Sequence, residues 1–596
     1  MLKRLLLVAL ATSACEQTSS GTPPPDAGAL DAAGGAGGVG GVGGGAGGAA
    51  GGAGGAGGGV ADATPADGAV DDAGVAADAA VFDAALPDAA LPLPAAEPMP
   101  LRRLSRVELA NTLRDLLGDD GGAVELLPPD VESLGFDNQA TSQAVPDLLA
   151  ERYLTLAETV TERIDLAALA PCAEGSEGAA CAREFFNGFV PLAFRRPAEP
   201  EEIDRFVESY TLGAAEGGAG GGHTAGLAFA LQHLLNSPHF LYRVETTGEP
   251  VTRPDGVVVT PLDGHALAVR LSYFLWRTMP DAELMRAAAA GELATAEGVR
   301  AQAQRMLDDP RAAAMIADFH GQWLGVDHLP VIEKDAAFFP GFDAARAALQ
   351  AEAQAFAVDV FLSENGTLTD LLTASHAFVS PETAAIYGVD APAAPLTRVE
   401  LDPTLRAGLL TLPGVLAVHA QSTRTSPVLR GYFVREQLFC GGVPPPPPGT
   451  DTSVPFLDPA NPDFENDPFA ETMANPECVG CHRLMNPIGQ AFERFDASGR
   501  YAPDRTGREI PVAGELFRSD VDGLFEGPVE LARRLAASDQ VADCVTTHWW
   551  RFAHGHKERE PDAAQLADVR ARFRNHGGHL ETLLIELVTA DQFRHR

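Results

Sequence analysis

From Leu101 onward apolar residues return every three to four positions, the period that sets one stripe of an α-helix against a core. Leu109, Leu113, Leu116 and Leu117 keep this spacing, Ser105 and Glu108 form a capping box ahead of them, and Gly118 can close the helix. The same period predicts helices over 148–164, 201–212, 225–235, 264–276, 296–306, 312–323, 344–361 and 581–593. Strand-like runs are few and short, 256–259 among them. The predicted fold class is mainly α, with several helical subdomains in tandem.

Two stretches interrupt the pattern. Residues 245–261 are rich in turn formers and divide an N-terminal helical domain, 101–246, from a central one, 262–392. A helical segment over 400–443 then runs into five consecutive prolines, Pro444–Pro448, which fix φ and favour an extended linker over 444–455. A separate module is expected after it, over 456–596. No internal repeat at a fixed period stands out.

Before Leu101 the texture differs. Residues 16–100 are dominated by Gly, Ala, Asp and Pro, a composition unable to bury enough apolar surface to offset its ordering entropy, and they read as a disordered tether. Residues 1–15 place Lys3 and Arg4 before an apolar run and end in Thr12-Ser13-Ala14-Cys15. That is the layout of a secretion signal with a lipobox-like end, so Cys15 is the expected lipidation site and the product an exported lipoprotein, periplasmic or on the surface of a Gram-negative cell. An ordinary cleaved signal is the alternative. Thr12 stands where a lipobox usually has leucine.

Charge narrows the partners. A formal net charge of −39 disfavours nucleic acid and anionic membrane surfaces as ligands, so membrane contact is expected only through the anchor. Export also decides how the cysteines are read, because oxidising compartments convert thiols to disulfides or give them to cofactors. Cys172 and Cys181 flank a Gly- and Ser-containing loop and are expected to pair. Cys440 and Cys544 are the expected second pair. Cys478 and Cys481 remain.

These two stand in "NPECVGCHRLMNPIGQAFERFDASGRY", 475–501, with His482 directly after them. Cys-x-x-Cys-His is the attachment site of c-type haem: two thioethers hold the porphyrin edge and the histidine becomes the proximal iron ligand. A thioredoxin-like pair would want a βαβ context, a zinc knuckle a second Cys/His pair at short range, and a disulfide across two residues leaves His482 unexplained. The expected cofactor is therefore covalent haem c. Pro487, five residues after the ligand, is expected to offer its carbonyl to the other ring nitrogen of His482. Ile488, Phe492 and Phe495 form an apolar stripe suited to a haem edge, or equally to plain core. The distal ligand is open: His419, His548, His554, His556 and Met473 are candidates, and so is a vacant sixth position. "HGHKERE" around His554 otherwise reads as a solvated helix end. No Gly-x-Ser-x-Gly elbow, Walker loop or His-Glu-x-x-His is present.

With these residues in view the chain resembles a known family. "LRRLSRVELANTLRDLLG", "LGFDNQA", "FRRPAEPEE", "LLNSPHFLYRVE", "RLSYFLWRTMPDAEL", "RMLDDPRA", "TSPVLRGYFVREQLFC", "CVGCHRLMNPIGQAFERFDASGRY" and "TADQFRHR" together are similar to the cytochrome-c-like multidomain proteins of planctomycetes and myxobacteria, tandems of domains of unknown function. The resemblance spans nearly all of 101–596. It implies an exported, mostly helical protein with a small cytochrome c-like module at its C-terminal end, and a neighbouring secreted protein as a possible partner, but no reaction. Cys478, Cys481 and His482 match the haem-type signature, and Arg430, Gly431, Pro487, Gly489, Glu493, Phe495 and Asp496 match its surroundings. Asn486 replaces the usual aspartate. The leading expectation is an exported c-type haem protein in electron transfer or haem redox chemistry, its donor and acceptor unidentified. The alternatives are an exported scaffold that recognises a polymer or protein, and a peroxidase- or oxygenase-like haem enzyme.

Overall fold

The computed structural model describes residues 99–171, 178–216, 222–444, 473, 475–504 and 509–596. The signal, the tether up to residue 98, Cys15, Cys172 and the proline-rich linker after Pro444 lie outside the described residues. The fold is mainly α-helical, with four two-stranded antiparallel sheets among the described residues. No helix among these residues is long and apolar enough to cross a membrane.

Local signals explain many of the boundaries. The first helix is Arg106–Leu117; Ser105 and Glu108 cap it reciprocally, and Gly118 ends it at φ 70°, a left-handed geometry glycine adopts without strain. Helices at Asp147–Arg163, His223–Leu235, Gly264–Leu275, Ala296–Leu307, Arg311–Leu324 and Phe342–Phe361 follow the expected periodicity within a few residues. The turn-rich divider contains a small hairpin, Val251–Thr252 against Val258–Val259.

Two hydrophobic cores form. One is built from the N-terminal helices, Leu104 to Leu241, joined by Val269 and Tyr273 of the next helix. The other runs from Leu262 to Phe593 and takes in Phe136. Between them lies a buried ionic cluster. Arg277 pairs with Glu108, Asp137 and Asp318, and Arg243 pairs with the same Glu108, whose side chain is 0 % exposed. The short strand Arg102–Arg103 also pairs with Tyr242–Arg243, so the first and last residues of the N-terminal region close on each other.

In the second core, Phe433, Val434, Leu438 and Phe439 before the proline run share one cluster with Ile488, Phe492 and Phe495 after it. Residues before and after the linker therefore fold against each other.

Candidate functional site

Cys478, Cys481 and His482 lie in the first two turns of the helix Pro476–Gln490. Pro476 occupies the first helical position, where its missing N–H costs nothing, and the Cys478 and Val479 amides donate to the Asn475 carbonyl. Spacings of three and four along a helix put both sulfurs and the imidazole on one face. All three residues are half-buried, and the two thiols are unpaired.

His482 is held from its own helix. Its Nδ1–H donates to Oδ1 of Asn486, one turn on, at 3.1 Å. That bond fixes the tautomer and leaves Nε2 as the lone-pair nitrogen, with no hydrogen bond to any described residue. Pro487 was expected to supply the acceptor. Its carbonyl instead faces Gly514 of the strand Ala513–Leu516, where even one added methyl would not fit. The Nδ2 of Asn486 is buried without a partner, so this side chain is oriented by its bond to His482 rather than by its amide donors.

The helix Pro427–Gln437 crosses this one. Ser426 caps it and Pro427 is its first residue. The crossing is set by two glycines: Gly431 lies against the Met485 carbonyl and Gly489 against that of Pro427, leaving no room for a Cβ at either. Arg430, 2 % exposed, then spreads over carbonyls beyond the cysteine helix, donating to Phe492 at 2.9 Å, Phe495 at 3.0 Å and Asp496 at 2.8 Å. Glu493 stands 3.7 Å from Arg430 and accepts the Thr425 hydroxyl proton at 2.6 Å. Asp496 ties its own turn by accepting from Ser498 and Arg500 amides. Arg430, Gly431, Gly489, Glu493 and Asp496 thus form one frame around the thiol-bearing helix.

The apolar stripe faces inward. Ile488, Phe492 and Phe495 are buried in the large core, with Phe495 edge-on to Tyr501 and beneath the Arg406 guanidinium. Their surroundings are protein side chains.

None of the candidate distal histidines has a hydrogen bond or ring contact to His482 among the described residues. His419 donates from Nε2 to the Leu324 carbonyl at 3.1 Å and stacks on Phe433 at 4.0 Å; burial holds its imidazole down at about 3. His554 donates from Nδ1 to the Trp550 carbonyl and stacks on Trp550. His554 and His556 are buried at 0 % and 5 %, which corrects the solvated-end reading: the helix Asp539–His554 packs Trp549 and Trp550 into the core, and only the charged residues after His556 turn outward. Met473 is half-buried. His548 lies beside the Cys440–Cys544 disulfide, its Nε2 3.7 Å from the Cys440 sulfur. Cys181 is also disulfide-bonded.

The residues fit a covalent haem. Two unpaired thiols and an imidazole nitrogen with a free lone pair share one helix face, and Asn486 fixes which nitrogen that is. The role of Asn486 was readable from its i+4 distance to the histidine; the role of Gly514 was not.

Five family models match successive segments of the chain, each described as a protein of unknown function: DUF1587 over 102–165, DUF1595 over 181–245, DUF1592 over 262–389, DUF1588 over 406–505 and DUF1585 over 523–593. The chain carries these domains in tandem. The thiol-bearing helix and the helix that crosses it both fall in the DUF1588 segment, whose model bears the name PSCyt3. Searches of curated proteins and of solved structures found no match.

Proposed function

We propose that the protein is an exported c-type haem protein that transfers electrons within an extracytoplasmic system. One observation carries this reading. Cys440 and Cys544 are oxidised to a disulfide, whereas Cys478 and Cys481, just as close in sequence terms to each other as a haem motif requires, remain thiols beside a tautomer-fixed His482. In an oxidising compartment a half-buried pair of this kind escapes disulfide formation when thioether bonds consume it. Cys478 and Cys481 would hold the porphyrin and His482 Nε2 the iron; haem bound there supplies a one-electron couple. The chain's own contribution is positional: Asn486 keeps the Nδ1 proton and so turns Nε2 outward as the lone-pair nitrogen, and the Gly431/Gly489 crossing fixes the helix. The cytochrome-like name of the DUF1588 model supports the reading. With a net charge of −39, the electron partner would present a basic face.

The full chain, exported from a host with cytochrome c maturation, should show the intact mass of one added haem and a pyridine haemochrome spectrum of the c type. Properly matured protein without covalent haem overturns the proposal.

A further inference from the structure

A second redox-capable group lies away from the thiol-bearing helix. Cys440 follows the crossing helix by three residues and is exposed, while Cys544 is 2 % exposed on the helix Asp539–His554. Cys440 is thus the exposed residue of the pair and Cys544 the buried one. One turn after Cys544 on the same helix comes His548, 3 % exposed, with Nε2 3.7 Å from the Cys440 sulfur. The reactive atoms of all three residues lie within 4.8 Å of one another.

The other buried helical histidines differ from His548 in one respect. His320 and His554 donate Nδ1–H back to the carbonyl four residues earlier, at 2.8 and 3.0 Å. His548 makes no such bond, and its Nδ1 has no hydrogen-bond partner. A buried N–H without an acceptor is costlier than a bare lone pair, so the proton belongs on Nε2, which faces the Gln437 carbonyl as well as the Cys440 sulfur. Burial holds this imidazole neutral, down at about 3. Nearby, the Gln437 carbonyl accepts from the Trp323 indole at 3.2 Å, which fixes the backbone just before Cys440.

We propose that Cys440–Cys544 is a redox-active disulfide, reduced in the folded protein by an exported dithiol, with His548 as the hydrogen-bond donor to the departing thiolate. A thiolate of the dithiol attacks the Cys440 sulfur; the S–S bond breaks and its electron pair goes to Cys544, whose sulfur lies within 4.8 Å of His548 Nε2, so that the Nε2–H can turn from its resting partners to the developing charge. The second thiol of the dithiol then displaces Cys440 from the mixed disulfide. Two electrons and two protons leave the dithiol, which ends as a disulfide, and Cys440 and Cys544 end as thiols. This proposal does not rest on the haem reading.

The test uses the full-length exported chain in glutathione buffers of graded ratio without denaturant, followed by alkylation and peptide mass spectrometry of Cys440 and Cys544, with circular dichroism recorded in parallel. The reduced fraction should follow the buffer ratio while the helical signal is unchanged. H548F should slow reduction by dithiothreitol at least tenfold, and H548Q, which keeps an N–H donor, should recover part of that rate. Reduction that occurs only as the chain unfolds overturns the proposal, as does a folded H548F chain reduced at the parent rate. If neither variant folds, the glutathione titration of the parent chain decides.

Discussion

The carbonyl oxygen of Met485 rests against the α-carbon of Gly431, with no space between them for a methyl group. Gly489 repeats the relationship with Pro427 four residues further along the same helix. Backbone meets backbone at both points, so an added side chain has no flexible neighbour to displace. Gly431→Ala and Gly489→Ala should each destabilise the chain by about 3 kcal/mol, the upper range for overpacking, read as a lower midpoint in chemical denaturation. Gly480→Ala, where an added methyl meets nothing inside the same helix, should raise the midpoint slightly, by about 0.5–1 kcal/mol of stability.

Asn486 sets the tautomer of His482. Asn486→Ala should weaken iron ligation by that histidine about 10- to 100-fold, the usual cost of losing such a partner. Competition with added imidazole, followed in the visible spectrum of matured protein, measures this. Asn486→Asp keeps an acceptor one turn from His482 and should restore ligation; equal weakening in both variants would show that the Nδ1 bond does not matter.

Lys334 is 6 % exposed and donates to three carbonyls, those of Ala417, Ala420 and Gln421, each at 2.9 Å. Burial first, then the neighbouring Arg430, push its ammonium down to about 7. Folded protein then binds fewer protons than unfolded chain between about pH 7 and the ordinary lysine value near 10.4, so stability rises with pH across that window and is insensitive to this group below it. The slope approaches ~1.4 kcal/mol per pH unit at its steepest. Denaturation midpoints from pH 7 to 10 should show the rise in the parent chain, and Lys334→Met should remove it. Lys3 and Lys557 are the only other lysines, so few groups compete in that range.

Glu108 is fully buried between Arg243 and Arg277 and also caps its own helix. Glu108→Ala leaves two guanidinium groups without this carboxylate in the interior, a loss of about 3–5 kcal/mol in global stability. Because Arg277 also joins Asp137 and Asp318, Asp137→Asn should cost less. Thermal unfolding of the two variants side by side gives the order.

Helix periodicity carried much of the fold, and the reason is local. Ser105, Glu108 and Gly118 satisfy their own helix ends, so neighbours were not needed to read that element. The helix Asp539–His554 was hidden because polar residues surround its end, and what decides its burial is Trp549 stacked on Phe319 at 3.5 Å, a contact across more than two hundred residues. The helix Pro476–Gln490 contains Pro487, which sequence rules place at a break; packing of Gly489 and Ile488 against the core keeps the turn in place. Cys478, Cys481 and His482 could be named from spacing alone, because their chemistry is fixed by adjacency. Long-range placement of His419, His548 and His554 was not legible, since each is oriented by a partner remote in sequence or by the fold around its helix.

The unbroken interior from Leu262 to Phe593 has a consequence for how this protein can be handled. A fragment trimmed to 406–505 would lay bare the apolar faces of Phe433, Ile488 and Phe492 that the flanking segments now cover. Such a piece behaves as half of a torn seam: it sticks to itself, and the thiol-bearing helix has to travel with the rest of the body.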